Sequence, residues 1–326
     1  MYNPEEAYND LPLLPPVVEV ETKKILKQAI VSNKILAELK GRADEIPNQS
    51  MLVNAITLQE AKDSSEIENI VTTQDTLYKA FSSNISTTDA QTKEVLRYRQ
   101  ALWEGYTDLS KRPLSTNSFI QIVQTIKENN SGIRNAPGTK ITSNGKTIYT
   151  PPEGETVIRS LLKNLEDYIH ADDDVDLLIK LAIMHYQFEA IHPFFDGNGR
   201  TGRVINMLFM VENGLLDTPI LYLSKYIIEH KNAYYTNLRG VTENSAWEAW
   251  ILFILKGIEE TALYTLEKIN SINSLMHETI VFAKEQLPAR VYSKELIELL
   301  FEQPYCKVKY LVDNGIAKRQ TAAEYL

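Results

Sequence analysis

Residues 48–104 contain neither glycine nor proline, and neither do residues 155–192. Uninterrupted stretches of that length favour helices, because these are the two residues that helix interiors exclude most strongly. From 220 to 287 there is again no Pro, and Gly occurs only at 240 and 257. The 13 Gly and 13 Pro make up about 8% of the 326 residues, against a usual sum of roughly 12%. The expected fold is mainly α.

Other features narrow the class. A hydrophobic content of 44% is ample for a sizeable core, and a prior of roughly 150 residues per domain gives about two domains. Lys+Arg 34 against Asp+Glu 43 leaves a net charge of −9, which disfavours a globally basic nucleic-acid binder but not a local basic patch. The single cysteine, Cys306, excludes an internal disulfide framework and a Cys-rich zinc site. His170, His185, His230 and His277 show no zinc-ligand spacing. The acidic N-terminus, MYNPEEAYND, lacks the apolar stretch of a signal peptide, and no run approaches the roughly 18 apolar residues of a membrane span. The expected location is cytoplasmic, without membrane contact. The sequons at Asn48, Asn84 and Asn129 are then expected to be fortuitous.

Along the chain, Leu11-Pro-Leu-Leu-Pro-Pro16 is extended, since Pro biases its predecessor away from helix. Helical periodicity begins near Glu21 and stops at Gly41. Residues 141–149 read as two short strands around Asn144-Gly145, a type I′ hairpin signal, ended by Pro151-Pro152. Within it, Gly145-Lys146-Thr147 imitates the end of a P-loop. Six residues instead of four separate it from Gly138, however, and it leads into a strand rather than a helix. Residues 177–191 and 204–216 are apolar nearly all round, as central buried helices are. Asp172, Asp173, Asp174 and Asp176 precede the first of them, where negative charge suits the helix dipole. From Tyr292 onward, three short helices are expected at 294–301, 305–312 and 318–326, separated by Pro304 and Asn314-Gly315. That is a helix-turn-helix pattern. The third helix meets the chain end without a β-hairpin wing, so an extension past Leu326 is expected.

The most informative stretch joins the two apolar helices: His192-Pro-Phe-Phe-Asp-Gly-Asn-Gly-Arg-Thr-Gly-Arg203. Each residue alone has an ordinary reading, but packing does not account for all of them together. Gly197, Gly199 and Gly202 permit positive φ and close backbone approach, so successive N–H groups can converge on an anion. The N-terminus of the following helix adds its positive dipole end. Arg200 and Arg203, three apart, can clamp phosphate oxygens. Asp196 supplies the hard oxygen that Mg²⁺ takes alongside substrate phosphates. His192, titrating near neutrality, is the natural base. Phe194 is expected to anchor the loop in the core. The set describes a phosphoanhydride site with a base beside it.

This stretch resembles the Fic family motif, H-x-F-x-[D/E]-G-N-G-R-x-x-R, at every fixed position. The resemblance implies the all-α Fic core and transfer of AMP from ATP to a Ser, Thr or Tyr hydroxyl of a protein. His192 would take the hydroxyl proton and Asp196 would hold Mg²⁺. Asn198, with the Gly197 and Gly199 backbone, would cradle the α- and β-phosphates, with Arg200 and Arg203 at the β/γ end. The cofactor-binding set so implied is Gly197, Asn198, Gly199, Arg200, Thr201, Gly202, Arg203 and Tyr235. Tyr235 comes from the 221–238 stretch, which resembles the adenine end. Residues 134–152 resemble the flap hairpin, which can dock a target segment by strand addition. Three divisions are expected: an N-terminal helical module at 1–105, a Fic core at 106–275 and a partial winged-helix-like domain at 280–326. The target is an unidentified protein, with the chain itself and a homodimer among the partners the family allows.

Ser64-Ser-Glu-Ile-Glu68-Asn69 fits the family's inhibitory pattern, [S/T]-x-x-x-E-[G/N]. Glu68 could offer Arg203 a carboxylate where the γ-phosphate must sit, and Ser64, one turn earlier on the same face, would help fix that helix. A charge-assisted pair is worth roughly 1.5–3 kcal/mol, about 10- to 150-fold in a competing equilibrium. Two alternatives stay open. Glu68 could position a water and make the protein chiefly a remover of AMP. The chain could instead be a nucleotide-sensing DNA-binding regulator, because Lys307, Lys309, Lys318 and Arg319 face only one acid, Asp313, between 305 and 320.

Overall fold

The computed structural model describes residues 2–44, 49–83, 89–143, 145–303 and 305–326. The sequons at Asn48 and Asn84, the hairpin residue Asn144 and the helix separator Pro304 lie outside them. The described residues are helical apart from one two-stranded hairpin and connecting loops, and no described helix is long and apolar enough to cross a membrane.

Two helices form the centre, α7 (Leu177–Ile191) and α8 (Asn198–Glu212). Asp176 caps α7, its carboxylate accepting from the N–H groups of Leu178 at 2.9 Å and Ile179 at 3.3 Å. Residues from every side of α7 are buried, among them Leu178, Leu181, Met184 and Phe188. Around this pair stand α4 (Ala90–Leu109), α5 (Thr116–Lys127), α6 (Glu155–Ile169) and α2 (Gln49–Ile67). The longest helix, α11 (Trp247–Gln286), spans about 60 Å at 1.5 Å per residue. It packs along α1 (Lys23–Asp44) and delivers Trp250 into the core, where Nε1 donates to the Ala182 carbonyl at 2.7 Å.

The expected hairpin is present. Strands β1 (Ile141–Ser143) and β2 (Lys146–Tyr149) pair antiparallel, with Ser143 opposite Lys146 and Thr142 opposite Thr147. Gly145 turns the chain at φ 74°. The N-terminal segment braces the hairpin: Tyr8 N–H donates to the Thr150 carbonyl at 3.0 Å, and the Tyr2 hydroxyl donates to the Ile148 carbonyl at 3.2 Å.

Several expected boundaries move. The first helix passes Gly41 and ends at Asp44, since a glycine in the last turn weakens a helix without terminating it. The division expected at 105 falls inside α4, and that at 275 falls inside α11. A single hydrophobic cluster runs from Leu11 to Ile269, so the N-terminal helices and the motif helices share one core. A second, small cluster of Leu296, Leu299, Leu311 and Ala322 joins α12 (Lys294–Glu302), α13 (Val308–Asp313) and α14 (Arg319–Tyr325). The latter two are shorter than expected. Tyr310 of α13 donates its hydroxyl to the Ser82 carbonyl of α3 (Gln74–Ser83).

Trp250 is fully buried and stacks with His185 at 5.8 Å between ring centroids. Trp250→Ala should lower unfolding free energy by about 3–5 kcal/mol in a urea titration, because the vacated volume cannot be refilled by rigid neighbouring helices.

Candidate functional site

His192 terminates α7 in the left-handed region, at φ 49° and ψ 58°. That conformation is uncommon for a residue with a side chain and turns the backbone sharply out of the helix. Arg134 secures the turn. It is fully buried, and its Nε donates to the His192 carbonyl at 2.7 Å. Its Nη2 reaches the carbonyls of Pro152 and Ile191, and its own N–H donates to Pro193 at 2.9 Å. One side chain thus ties the motif loop to the exit of the flap hairpin. Burial, and then the positive charge of Arg134, push His192 down to about 4. It is therefore neutral near pH 7, the form that accepts a proton.

The loop itself is held by Phe194 and Asn198. Phe194 is buried against Phe188, with 6.3 Å between ring centroids. Asn198 Oδ1 accepts from the Phe194 N–H at 2.8 Å, and its Nδ2 donates to the Phe194 carbonyl at 2.7 Å. The Asn198 amide is thereby occupied in closing the loop, which differs from the expectation that it reaches a phosphate. The first-turn N–H groups of α8 remain, since such groups have no acceptor within their helix. Gly197 enters that turn at φ 80°.

Helix α2 brings the inhibitory pattern onto the arginines. Glu68 Oε2 accepts from Arg200 Nε at 2.6 Å, and Oε1 accepts from Arg203 Nη2 at 3.0 Å. The expected partner was Arg203 alone; both are engaged. Ser64 adds two acceptors to Arg203, its Oγ at 2.7 Å from Nε and its carbonyl at 2.8 Å from Nη2. A Cβ on Gly199 would lie 2.7 Å from Glu68 Oε1, so glycine is what admits the carboxylate. Asn69 closes the end of α2 at φ 64°, a conformation Asn and Gly accept more readily than most residues. Burial works most strongly against the charge of Arg203, but Glu68 together with Tyr234, Tyr98 and Glu189 outweighs it and holds Arg203 above its ordinary value.

The charges continue outward from there. Arg200 Nη1 donates to Glu94 Oε1 of α4 at 2.7 Å, and Lys127 Nζ of α5 lies 2.8 Å from the same oxygen. Lys127 also contacts Asp196 Oδ2 at 2.6 Å. Burial raises Glu94 and Asp196, yet these cations bring both below the usual carboxylate range. Asp196 is largely exposed and offers a hard oxygen toward solvent. Among the described residues no group of three or more His, Cys, Asp or Glu forms a metal cage. A lone exposed carboxylate is the kind of ligand Mg²⁺ takes when it arrives with substrate phosphates.

A cleft of about 880 Å³ opens beside this network, lined by Glu68, Asn69, Glu189, Tyr235, Thr142 and Tyr149 among others. Tyr235 is half-exposed there, while its neighbour Tyr234 is the core residue, hydrogen-bonded to His185. Thr201 and Gly202 are buried within α8 and do not face the cleft. Four residues at the site escaped the sequence reading: Glu94, Lys127, Arg134 and Glu189. Only Glu189 had a positional hint, three residues before His192 and hence on its helical face. Burial raises it to about 7. The four C-terminal bases, Lys307, Lys309, Lys318 and Arg319, are exposed.

Three family models match along the chain. Residues 26–107 match the Fic/DOC family N-terminal model, and residues 113–210 match that of the Fic/DOC family. Residues 275–326 match the C-terminal domain of SoFic-like protein adenylyltransferases. The chain belongs to the Fic/DOC family. A probable protein adenylyltransferase of Aquifex aeolicus is 38% identical over 79 residues, covering 24% of each protein. Protein adenylyltransferase fic-1 of Caenorhabditis elegans is 34% identical over 92 residues, 28% of this chain and 17% of that protein. The matched stretches thus span about a quarter or less of these relatives' length. In fold, a Fic family protein from Desulfovibrio desulfuricans G20 superposes with a TM-score of 0.64 at 16% identity, over 92% of this chain and 89% of that one. C. elegans Fic-1 gives 0.58 at 19% identity, over 76% and 75%.

Asn198→Ala should lower unfolding free energy by about 1–3 kcal/mol, because it strands the buried N–H of Phe194. Asn198→Asp, which keeps the acceptor and loses the donor, should fall between Ala and wild type in the same urea titration.

Proposed function

We propose that this protein transfers AMP from ATP to a Ser, Thr or Tyr hydroxyl of a protein target, and that Glu68 restrains it in cis. One observation carries the reading: two buried arginines at the start of α8 share a carboxylate, one helical junction away from a neutral histidine. Arginines so buried require anionic partners, and an incoming polyphosphate is the partner that can replace Glu68. The adenylyltransferase names of the Aquifex and nematode relatives support the same reaction.

With Glu68 displaced, Arg200 and Arg203 take the β- and γ-phosphates, and the N–H groups of Gly197 and Gly199 cradle the α- and β-phosphates. Tyr235 borders the space left for the adenine end. Asp196 would hold Mg²⁺, whose charge offsets that of the phosphates; Lys127 must then yield its contact with Asp196. The target hydroxyl attacks the α-phosphorus while His192 accepts its proton, and the bond to pyrophosphate breaks. Thr142 and Ser143 of β1 are exposed, and both line the cleft, so an extended target segment can add along that edge.

Labelled ATP, Mg²⁺ and cell lysate test the reading. Glu68→Gly should raise incorporated AMP about 10- to 150-fold, the range of a charge-assisted pair. Adding His192→Ala should return it to background, as should chelation of Mg²⁺. Equal labelling by wild type and Glu68→Gly would remove the brake from the account, and no labelling by either would overturn the transfer.

A further inference from the structure

We infer that Glu60 is the positioning residue that docks the inhibitory helix, and that its grip on the rest of the protein depends on a proton. The inference rests on the reading of Glu68 as the brake. Glu60, Ser64 and Glu68 are spaced by four, so they form one stripe along α2. Glu60 is 1% exposed and Ser64 is fully buried. The stripe therefore runs through the interior, although it is polar.

Glu60 is held from outside its own helix. The Tyr98 hydroxyl of α4 donates to its Oε1 at 3.1 Å, and the Ser224 N–H donates to Oε2 at 3.0 Å. The Ser224 hydroxyl, at the start of α9 (Leu223–Glu229), donates to Oε1 as well. The titratable groups that face it are Tyr98 of α4, Arg203 of α8, Tyr222 just before α9 and Asp63 on α2 itself. Both tyrosines are pushed upward by burial and stay neutral. Asp63 accepts from the Tyr222 hydroxyl. Glu60 thus sits inside a buried hydrogen-bonded set, two helical turns from the brake.

Burial raises Glu60 to about 7 from an ordinary 4.5, outweighing the three donors and Arg203. A released α2 returns the side chain to water, where the ordinary value applies. Docking then takes up a proton at neutral pH. A group whose docked value is raised stabilises docking most at low pH, and that contribution is lost as pH rises through 7. Between pH 6 and 8 the docking equilibrium should weaken about tenfold. The brake is tightest in mild acid.

Substitutions separate charge from shape. Glu60→Gln keeps an acceptor and abolishes titration, so docking should be tight and independent of pH. Glu60→Ala removes every acceptor and strands the Tyr98 and Ser224 donors, so docking should be weak throughout. Ser224→Ala removes one donor to the carboxylate and should move the transition to higher pH.

Amide hydrogen exchange over residues 57–67, corrected for the intrinsic rate, reads docking without any transfer reaction. Failure here is therefore distinct from failure of the adenylylation assay. The wild-type protection factor should fall about tenfold from pH 6 to 8, while α11 stays unchanged and Glu60→Gln shows no slope. A flat wild-type profile, or a slope that persists in Glu60→Gln, overturns the inference. Should Glu60→Gln not fold, the wild-type series and the shift in Ser224→Ala decide it alone.

Discussion

The sharing of one carboxylate between Arg200 and Arg203 organises the site. Both guanidinium groups are almost wholly buried, at 1% and 3% exposure, so their charges cannot be left to solvent. Glu68 meets them from a helix 132 and 135 residues away in sequence. Glu94 takes the far side of Arg200, and Lys127 passes the charge on to Asp196. Three cations face three carboxylates, so this network is balanced in charge without any nucleotide. Whatever removes Glu68 must bring negative charge of its own. That condition links the proposed brake to the proposed substrate by charge alone.

The helix that leads to Glu68 is attached by apolar and polar contacts together. The centre of the protein, α7, is buried on every side, mostly by apolar contact, with Lys180, His185 and Gln187 as hydrogen-bonded polar exceptions. Helix α2 buries Val53, Ile56, Leu58, Ala61 and Ile67 in the shared core and, beside them, Thr57, Glu60, Asp63, Ser64 and Ser65. Polar contacts of this kind are strong when all are satisfied and costly when one partner leaves.

Much of the architecture was legible in the residues. The breaker-free stretches became helices, the Asn144-Gly145 signal lies between two paired strands, and the apolar runs became the central α7 and α8. Boundaries were less legible. Gly41 did not end its helix, and the divisions at 105 and 275 fall within α4 and α11, because helices that share one core need not break where composition shifts. Within the site, His192, Asp196 and the two arginines stood out through their spacing. Arg134, Glu94 and Lys127 did not, because each acts through a partner far away in sequence. Asn198 stood out as well, but its amide turned out to close the loop onto Phe194.

What the sequence determined by itself is whatever is local: helical class, the hairpin, the glycine-bounded turn and the charged residues clustered around it. These follow from backbone period and from φ preferences that act over a few residues. Only the tertiary structure decided which carboxylate neutralises which arginine, how Arg134 holds the histidine turn, and that Glu60 lies buried beside Tyr98 and Ser224. Those outcomes depend on how elements more than a hundred residues apart pack. Charge pairing and desolvation are properties of that packing, and no short stretch of chain contains them.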